Sequence, residues 1–458
     1  MTFILQYILT TIIIIFEWGR KRDQLVDMLT IFNVVYFLCF AVSPIAGYYM
    51  QNDINESLDF YAYSVFFFVT RGDYDFTSSN FFVTGSLSIV LYLIVILSYS
   101  LFKVNVKIAF LENIFVKKVS YSKIYNLALI LLIITMLALL YSILSRGFTD
   151  WFFSNSRMHF HGSEEAETLS EDSWLIDKLF MFGQVSALLF WGLLQKQFDG
   201  EKITEGKKFK FLIPLFIISL SIAFMLLYRS SGRLMFFRFI AVFLISSVYI
   251  SRKGLLKKGI LISVLGAIVV LYGRTLFRIF LYTDHVVDTL SDQGTELRNA
   301  FFSFISNFSF PFFSASNNLN YVGVEYNLFM DLFKMPLTLI PPRLIDIDLS
   351  SSSGINTART LGQPDSTVPS DILSYGLING GYLGVLLVGI SFGVILKLLN
   401  SYSRRLVGPV AVALFVYLAL NIGFRVMYFD PLHFLRGTFS FIIAMVFYSL
   451  LIFRVRMR

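Results

Sequence analysis

Apolar blocks of roughly twenty residues alternate along this chain with short stretches of charged and turn-forming residues, and this repeat restricts the fold more than any motif does. A helix rises about 1.5 Å per residue, so each block is long enough to cross a hydrocarbon core of about 30 Å. Composition agrees: 56% of the residues are hydrophobic and only 15% are charged, where a soluble domain carries about 25% to cover its surface. A soluble globular enzyme is excluded, and an all-α, polytopic membrane protein is implied.

Hydropathy places spans at Thr2–Phe16, Leu25–Tyr49, Phe81–Phe102, Ile124–Leu144, Leu175–Leu194, Phe211–Tyr228, Leu234–Ile250, Gly259–Leu281, Ile372–Leu399, Leu406–Met427 and Leu432–Phe453, about 11 transmembrane helices in all. The first block has no basic segment ahead of it and reads as a retained span rather than a cleaved signal. An odd number of spans puts the termini on opposite faces. The basic connectors around Arg20–Arg22, Lys103–Lys123, Lys196–Lys210, Arg252–Lys258, Lys397–Arg405 and Arg454–Arg458 all share one face. The positive-inside rule makes that face cytoplasmic and puts the N-terminus outside. Cys39 is the single cysteine, so no disulfide within the chain holds an external loop.

The formal net charge of +8 therefore reflects loop asymmetry, and no basic tail or motif points to nucleic acid. The type of cation is more informative. The inner segments hold 15 Lys and 8 Arg, whereas the outer ones hold 2 Lys (Lys178 and Lys334) and 13 Arg. A topology signal needs only positive charge, but the planar five-donor guanidinium makes bidentate contacts to carboxylate or phosphate. Low Lys outside is in part the inside rule seen from its other face, and arginine also snorkels well.

These spans divide the chain into transmembrane helices 1–8 (residues 1–281), a large external loop (282–371) and helices 9–11 (372–458). The loop turns from a polar, acidic opening to an aromatic run (Phe301 to Phe313) and then to LFKMPLTLIPPRLIDID, where Pro336, Pro341 and Pro342 break any long helix. Short interfacial helices lying on the membrane fit it better than another span. The ninth span is rich in glycine, at Gly376, Gly380, Gly381, Gly384, Gly389 and Gly393, a spacing that lets another helix approach closely.

Three constellations could carry chemistry. In YRSSGR, the connection between spans six and seven, Arg229 and Arg233 sit at the membrane surface with Arg238 about one turn into the next helix. An anion would relieve their repulsion, aided by the helix N-terminus; the plainer reading is that Arg229 caps a helix dipole and Arg233 snorkels. In LYGRTLFRIF, Arg274 and Arg278 are four apart on one helical face with no acidic residue on the same stretch. In FDPLHFLRG, Asp430 can cap the last span, Pro431 fits its first turn, and His433 and Arg436 share a face. His433 is the candidate general base, with Asp365, Asp371 and Glu325 as carboxylate rivals. No DxD pair is positioned to hold a divalent ion to a diphosphate and no glycine-rich nucleotide loop appears, so the reading carries no metal and no cofactor, and arginines would have to stabilise a departing diphosphate.

The chain resembles the O-antigen or oligosaccharide repeat-unit polymerase family (Wzy-type). The likeness lies in the many spans with one large external loop before the last three, in RSSGR leading into a helix, in LYGR, and in QPDSTVPSDILSYGLINGGYLGVLLVG, where Pro369, Ser370, Gly376, Gly380, Gly381 and Gly384 match. RSSGR departs from the pattern in lacking the glycine pair of some relatives. The resemblance implies a GT-C-like glycosyltransferase architecture in the bacterial inner membrane with its active site facing the periplasm. It also implies transfer of a growing glycan from undecaprenyl diphosphate to the terminal sugar of another lipid-linked repeat unit. The partners would be undecaprenyl-diphosphate-linked oligosaccharide, the lipid bilayer and a chain-length-regulating co-polymerase. The family's essential external arginines carry over to Arg229, Arg233, Arg274, Arg278 and Arg436; Arg274 and Arg436 would act in catalysis with His433, the base read from the residues themselves. An O-antigen ligase-like enzyme and a lipid-linked oligosaccharide flippase are the rival readings; the absence of an internal repeat weighs against the flippase.

Overall fold

The computed structural model describes residues 2–22, 26–49, 75–102, 108–147, 178–198, 211–229, 233–250, 264, 305, 308–340, 351–361 and 368–453. Among them there is no strand. Helices α1 (Ile4–Gly19), α2 (Met28–Tyr49), α3 (Ser79–Leu101), α4 (Ala109–Phe115), α5 (Tyr121–Arg146), α6 (Phe182–Phe198), α7 (Leu212–Arg229) and α8 (Arg233–Ile250) form the first part. The external loop follows with α9 (Phe310–Asn318), α10 (Met330–Lys334) and α11 (Ser352–Leu361), and the chain closes with α12 (Ile372–Ser403), α13 (Pro409–Gly423) and α14 (Pro431–Phe453). Six stretches are helical, long and apolar enough to cross a membrane: Met28–Tyr49, Ser79–Leu101, Tyr121–Ser145, Lys178–Gln195, Ile372–Ser403 and Pro409–Val426. Four shorter apolar helices accompany them at Ile4–Gly19, Leu212–Leu227, Arg238–Ile250 and Gly437–Leu451. The chain is thus a helical membrane protein. Apart from Val264, the expected span Gly259–Leu281 lies outside the described residues.

Local chemistry starts and stops these helices. Asp27 caps α2 by accepting from the Thr30 amide at 2.8 Å, and Ser78 caps α3 through the Phe81 amide at 3.3 Å. Gly147, at φ +79°, follows the end of α5, and Gly408, at φ +85°, precedes Pro409 in the first turn of α13. A π-turn at Leu38–Val42 interrupts α2.

Charge separates the two ends of the bundle. At one end Arg20 binds Glu17 and Asp27, and Arg405 binds Glu112 on α4. Lys123 reaches the carbonyl of Leu451 at 3.1 Å, and Tyr249 donates to the carbonyl of Val26. These contacts bring the start of α2, α5 and α13 together with the end of α1, α8, α12 and α14. The opposite end holds the external-loop helices.

The core lies where α6 crosses α5, α7 and α13, and where α12 runs along α3. Small residues allow the close crossings: a Cβ on Gly192 would fall 2.6 Å from the Val410 backbone, and one on Gly393 would fall 2.5 Å from the Val95 carbonyl oxygen.

Two expectations change here. The ninth span is not one continuous helix, because Gly380 and Gly381 leave helical geometry, Gly381 at φ +58° and ψ −138°. Only glycine adopts the latter conformation readily. Residues eight apart in an unbroken helix lie about 12 Å apart along its axis, yet a Cβ on Gly384 would sit 2.1 Å from the Gly376 carbonyl oxygen. The chain therefore folds back, and segment 372–379 packs on segment 382–403 through glycine. These glycines admit their own chain, whereas Gly389 and Gly393 admit α3. Segment 382–403 keeps enough length to cross the membrane alone.

The aromatic run of the loop also departs from an interfacial helix. Phe312 and Phe313 on α9 are buried completely. Phe312 packs 5.2 Å from Phe81, and Phe313 fills the space left by Gly47. Apolar exposure falls instead on α10, where Phe333 is 74% exposed.

The fold-back is testable by substitution. Gly384→Ala forces a methyl onto a backbone oxygen, whereas Gly19→Ala meets nothing within 4 Å. Overpacking costs about 1–3 kcal/mol and more where backbone must move. Gly384→Ala should lose most of its monodisperse material on size-exclusion chromatography after mild heating, and Gly19→Ala should match the parent. Equal survival of the two would contradict the fold-back.

Candidate functional site

At the end opposite the lysine-rich one, α13 tightens into a 3-10 turn, Phe424–Val426, that carries Arg425 into the groove between α13 and α14. Arg425 donates from Nη1 to the carbonyl of Tyr428 at 3.1 Å, and its guanidinium carbon lies 4.5 Å from the centre of the Phe434 ring. Its Nε is buried with no hydrogen-bond partner among the described residues. Arg238, in the second turn of α8, donates to Asn421 Oδ1 at 3.3 Å and lies 5.6 Å from the Phe424 ring centre. Asn421 donates its own amide to the Tyr417 carbonyl at 2.9 Å, which turns its oxygen toward Arg238.

Neither arginine forms an ion pair among the described residues. The two positive charges are close enough to repel each other, and Asp430 attracts Arg425 only through space. Leaving charges in an apolar setting without a counter-charge costs several kcal/mol. Carbonyls, an amide oxygen and ring faces recover part of that cost, and an anion would recover more. Tyr375 Oη is also buried and without a partner among the described residues, and its ring lies 5.1 Å from that of Phe429.

The loop helices are stapled around this turn by buried polar groups. Asp430 caps α14 through the Leu432 amide at 2.9 Å and accepts from the Ser353 amide of α11 at 3.3 Å. Phe429 donates its amide to Ser370 at 2.7 Å. Asp331 accepts from Asn327 and from the Ser352 amide, and Asn379 accepts from the Phe329 amide at 2.7 Å. Asp371 caps α12 by accepting from the Leu373 amide at 2.8 Å, the Ser374 amide at 3.0 Å, Ser314 Oγ at 3.0 Å and Ser374 Oγ. Burial pushes its carboxyl up to about 6, against the pull of the Ser374, Ser314 and Leu373 hydrogen bonds. Arg359 on α11 donates to Asn318 and to the Glu325 carbonyl, both at 3.3 Å, above the Tyr321 ring.

The residues singled out from sequence fall as follows. Arg229 and Arg233 occupy the last residue of α7 and the first of α8, and His433 and Arg436 lie in the first turns of α14 beside Phe434. For these four the backbone is described and the side chains are not. Arg274, Arg278 and Asp365 lie outside the described residues. Asp371 is enclosed in a capping network, and Glu325 is exposed on the loop. Arg425 was missed. Its signal was available: it is a lone cation within the apolar stretch Leu406–Met427, with no acid beside it.

No family model, curated protein or solved structure matches the chain.

The raised carboxyl of Asp371 gives a pH test. Its folded value of about 6 exceeds the ordinary 3.8. The ionised form is therefore disfavoured on folding, and the penalty is absent at pH 3, grows from pH 4 to 6 and is complete above. It amounts to about 3 kcal/mol. Relative to the parent, Asp371→Asn should gain stability as the pH rises from 4 to 7 in melting curves of the purified protein. A difference that is flat with pH would contradict this placement.

Proposed function

We propose that the chain is a membrane glycosyltransferase that polymerises oligosaccharide repeat units at the external face of the bacterial inner membrane. It would cross the membrane about eleven times, with its N-terminus outside and a GT-C-like arrangement. The observation that carries the reading is the pair Arg238 and Arg425, partly buried beside each other and without carboxylate partners among the described residues, where α8, α13 and α14 meet. Arg233 begins α8, His433 and Arg436 lie in the first turns of α14, and Arg229 ends the preceding α7.

The chemistry follows from that placement. Donor substrate is an amphiphile whose diphosphate lies at the membrane surface. Guanidinium groups already fixed by Asn421, Tyr428, Phe424 and Phe434 need little rearrangement to receive it. A sugar hydroxyl of the acceptor repeat unit attacks the anomeric carbon of the donor glycan. The bond from that carbon to the diphosphate oxygen breaks, undecaprenyl diphosphate leaves with the electron pair, and the hydroxyl proton passes to His433. Arg238 and Arg425, joined by Arg229, Arg233, Arg274, Arg278 and Arg436, stabilise the charge that grows on the departing diphosphate. In this reading the guanidinium groups do the charge stabilisation that a metal ion would otherwise supply. Polymerase and ligase share this chemistry and differ in acceptor.

Complementation of a deletion strain separates the readings on a surface-glycan gel. Removing one donor to a developing oxyanion typically slows a reaction by about 10²–10³. Arg425→Ala and Arg238→Ala should therefore abolish the polymer ladder while single-repeat glycan remains, at parental levels of membrane protein. Arg425→Lys should recover part of the ladder. Loss of all surface glycan in the deletion strain would favour a ligase, and ladders of parental length in both alanine variants would overturn the enzyme reading.

A further inference from the structure

The lysine-rich end contains a second cationic site that the glycan reading does not use. A cavity of about 230 Å³ opens where α1, α3 and α12 end, with Arg20, Lys21, Lys397 and Arg404 on its walls and, among the described residues, one carboxylate, Asp27. That carboxylate is already committed, since it accepts from Arg20 and from the Thr30 amide. Arg20 is likewise matched by Glu17 and Asp27 together. Among the described residues, Lys21 and Lys397 then face the cavity without an ion pair.

Lys397 is placed for binding rather than for solvation. Its ammonium lies 4.7 Å from the centre of the Tyr99 ring, which Asn400 holds through a 2.7 Å hydrogen bond to the phenol oxygen. Among the described residues it makes no ion pair. A ring face removes water from one side of the ammonium and leaves the other side aimed at a partner.

Size and surroundings narrow the ligand. Pockets for drug-sized molecules measure about 300–1,000 Å³, so a 230 Å³ cavity suits a phosphate group and excludes an oligosaccharide. The α3 surface beside Ser100 is exposed and apolar: Leu97 is 55% exposed and Leu101 73% exposed. On a membrane protein such faces meet acyl chains.

We propose that this cavity binds a phosphate group, supplied by an anionic phospholipid of the cytoplasmic leaflet. Lipid chains would lie along Leu97 and Leu101 while the headgroup phosphate enters between Lys21 and Lys397. The site is independent of the glycosyltransferase reading, and it would anchor the ends of α1, α3 and α12 to one lipid.

Native mass spectrometry of the purified full chain tests it, with phosphatidylglycerol and phosphatidylcholine as probes. The parent should retain phosphatidylglycerol in preference to phosphatidylcholine, and Lys21→Gln/Lys397→Gln should reduce that preference by on the order of tenfold. Arg405→Gln, whose partner Glu112 lies away from the cavity, should keep it. If the double variant does not fold, Lys397→Gln alone carries the comparison. Inorganic phosphate at excess should leave the lipid adduct in place; if it binds instead and the double variant loses it, the phosphate site stands and its source is soluble. A folded variant that keeps the full preference overturns the proposal.

Discussion

A charge placed among apolar helices has to be matched where it stands, and the two ends of this bundle meet that requirement differently. At the lysine-rich end, Arg20 is satisfied by Glu17 and Asp27, with Thr30 and Asn33 completing the carboxylate hydrogen bonds. Arg405 is satisfied by Glu112. At the other end, Arg238 and Arg425 have an amide oxygen, a carbonyl and ring faces in place of carboxylates. A network of neutral donors and acceptors holds two cations in position without cancelling them, which is the electrostatic condition for gripping an anion.

The loop and the broken helix support the turn that bears Arg425. Gly380 and Gly381 turn the chain back on itself. Segment 327–329 then caps the reversed segment: the Asn327 and Leu328 amides donate to the carbonyls of Ile378 and Asn379. Leu328 and Phe329 take positive φ to do so, a strain of order 1–3 kcal/mol each that the surrounding hydrogen bonds hold. Asp331 and Asp430 accept backbone amides from α11, and Asp371 accepts the Ser314 hydroxyl of α9 besides capping α12. They tie α9, α10 and α11 to the start of α12 and α14, so the turn bearing Arg425 rests on a rigid frame.

Much of the architecture was legible in the sequence because membrane spans are written in a one-dimensional code of length and hydropathy. The described long apolar helices fall on expected blocks, from α1 on Thr2–Phe16 to α14 on Leu432–Phe453, while the short α4 lies in a stretch that reads as a basic connector. What hydropathy cannot encode is direction within a block. A glycine pair inside an apolar stretch reads as packing, and the reversal at Gly380–Gly381 depends on a conformation at one residue. Burial of Phe312 and Phe313 was hidden for a similar reason, since an aromatic run suits an interface and a core equally until Gly47 and Phe81 are placed beside it. At the site, the sequence pointed to guanidinium groups at helix ends and found Arg238. It passed over Arg425 because a single cation near the end of a span looks like a boundary marker until α8 is seen to bring a second one to it.

The central claim is that Arg238 and Arg425 together hold a lipid-borne diphosphate. The most direct measurement is equilibrium binding of undecaprenyl diphosphate to the purified chain in nanodiscs, for the parent and for Arg238→Gln/Arg425→Gln. Charge-assisted contacts of this kind contribute about 1.5–3 kcal/mol each, so the account predicts that the double variant binds at least about 100-fold more weakly while melting as the parent does. Parental affinity in a folded double variant would contradict it.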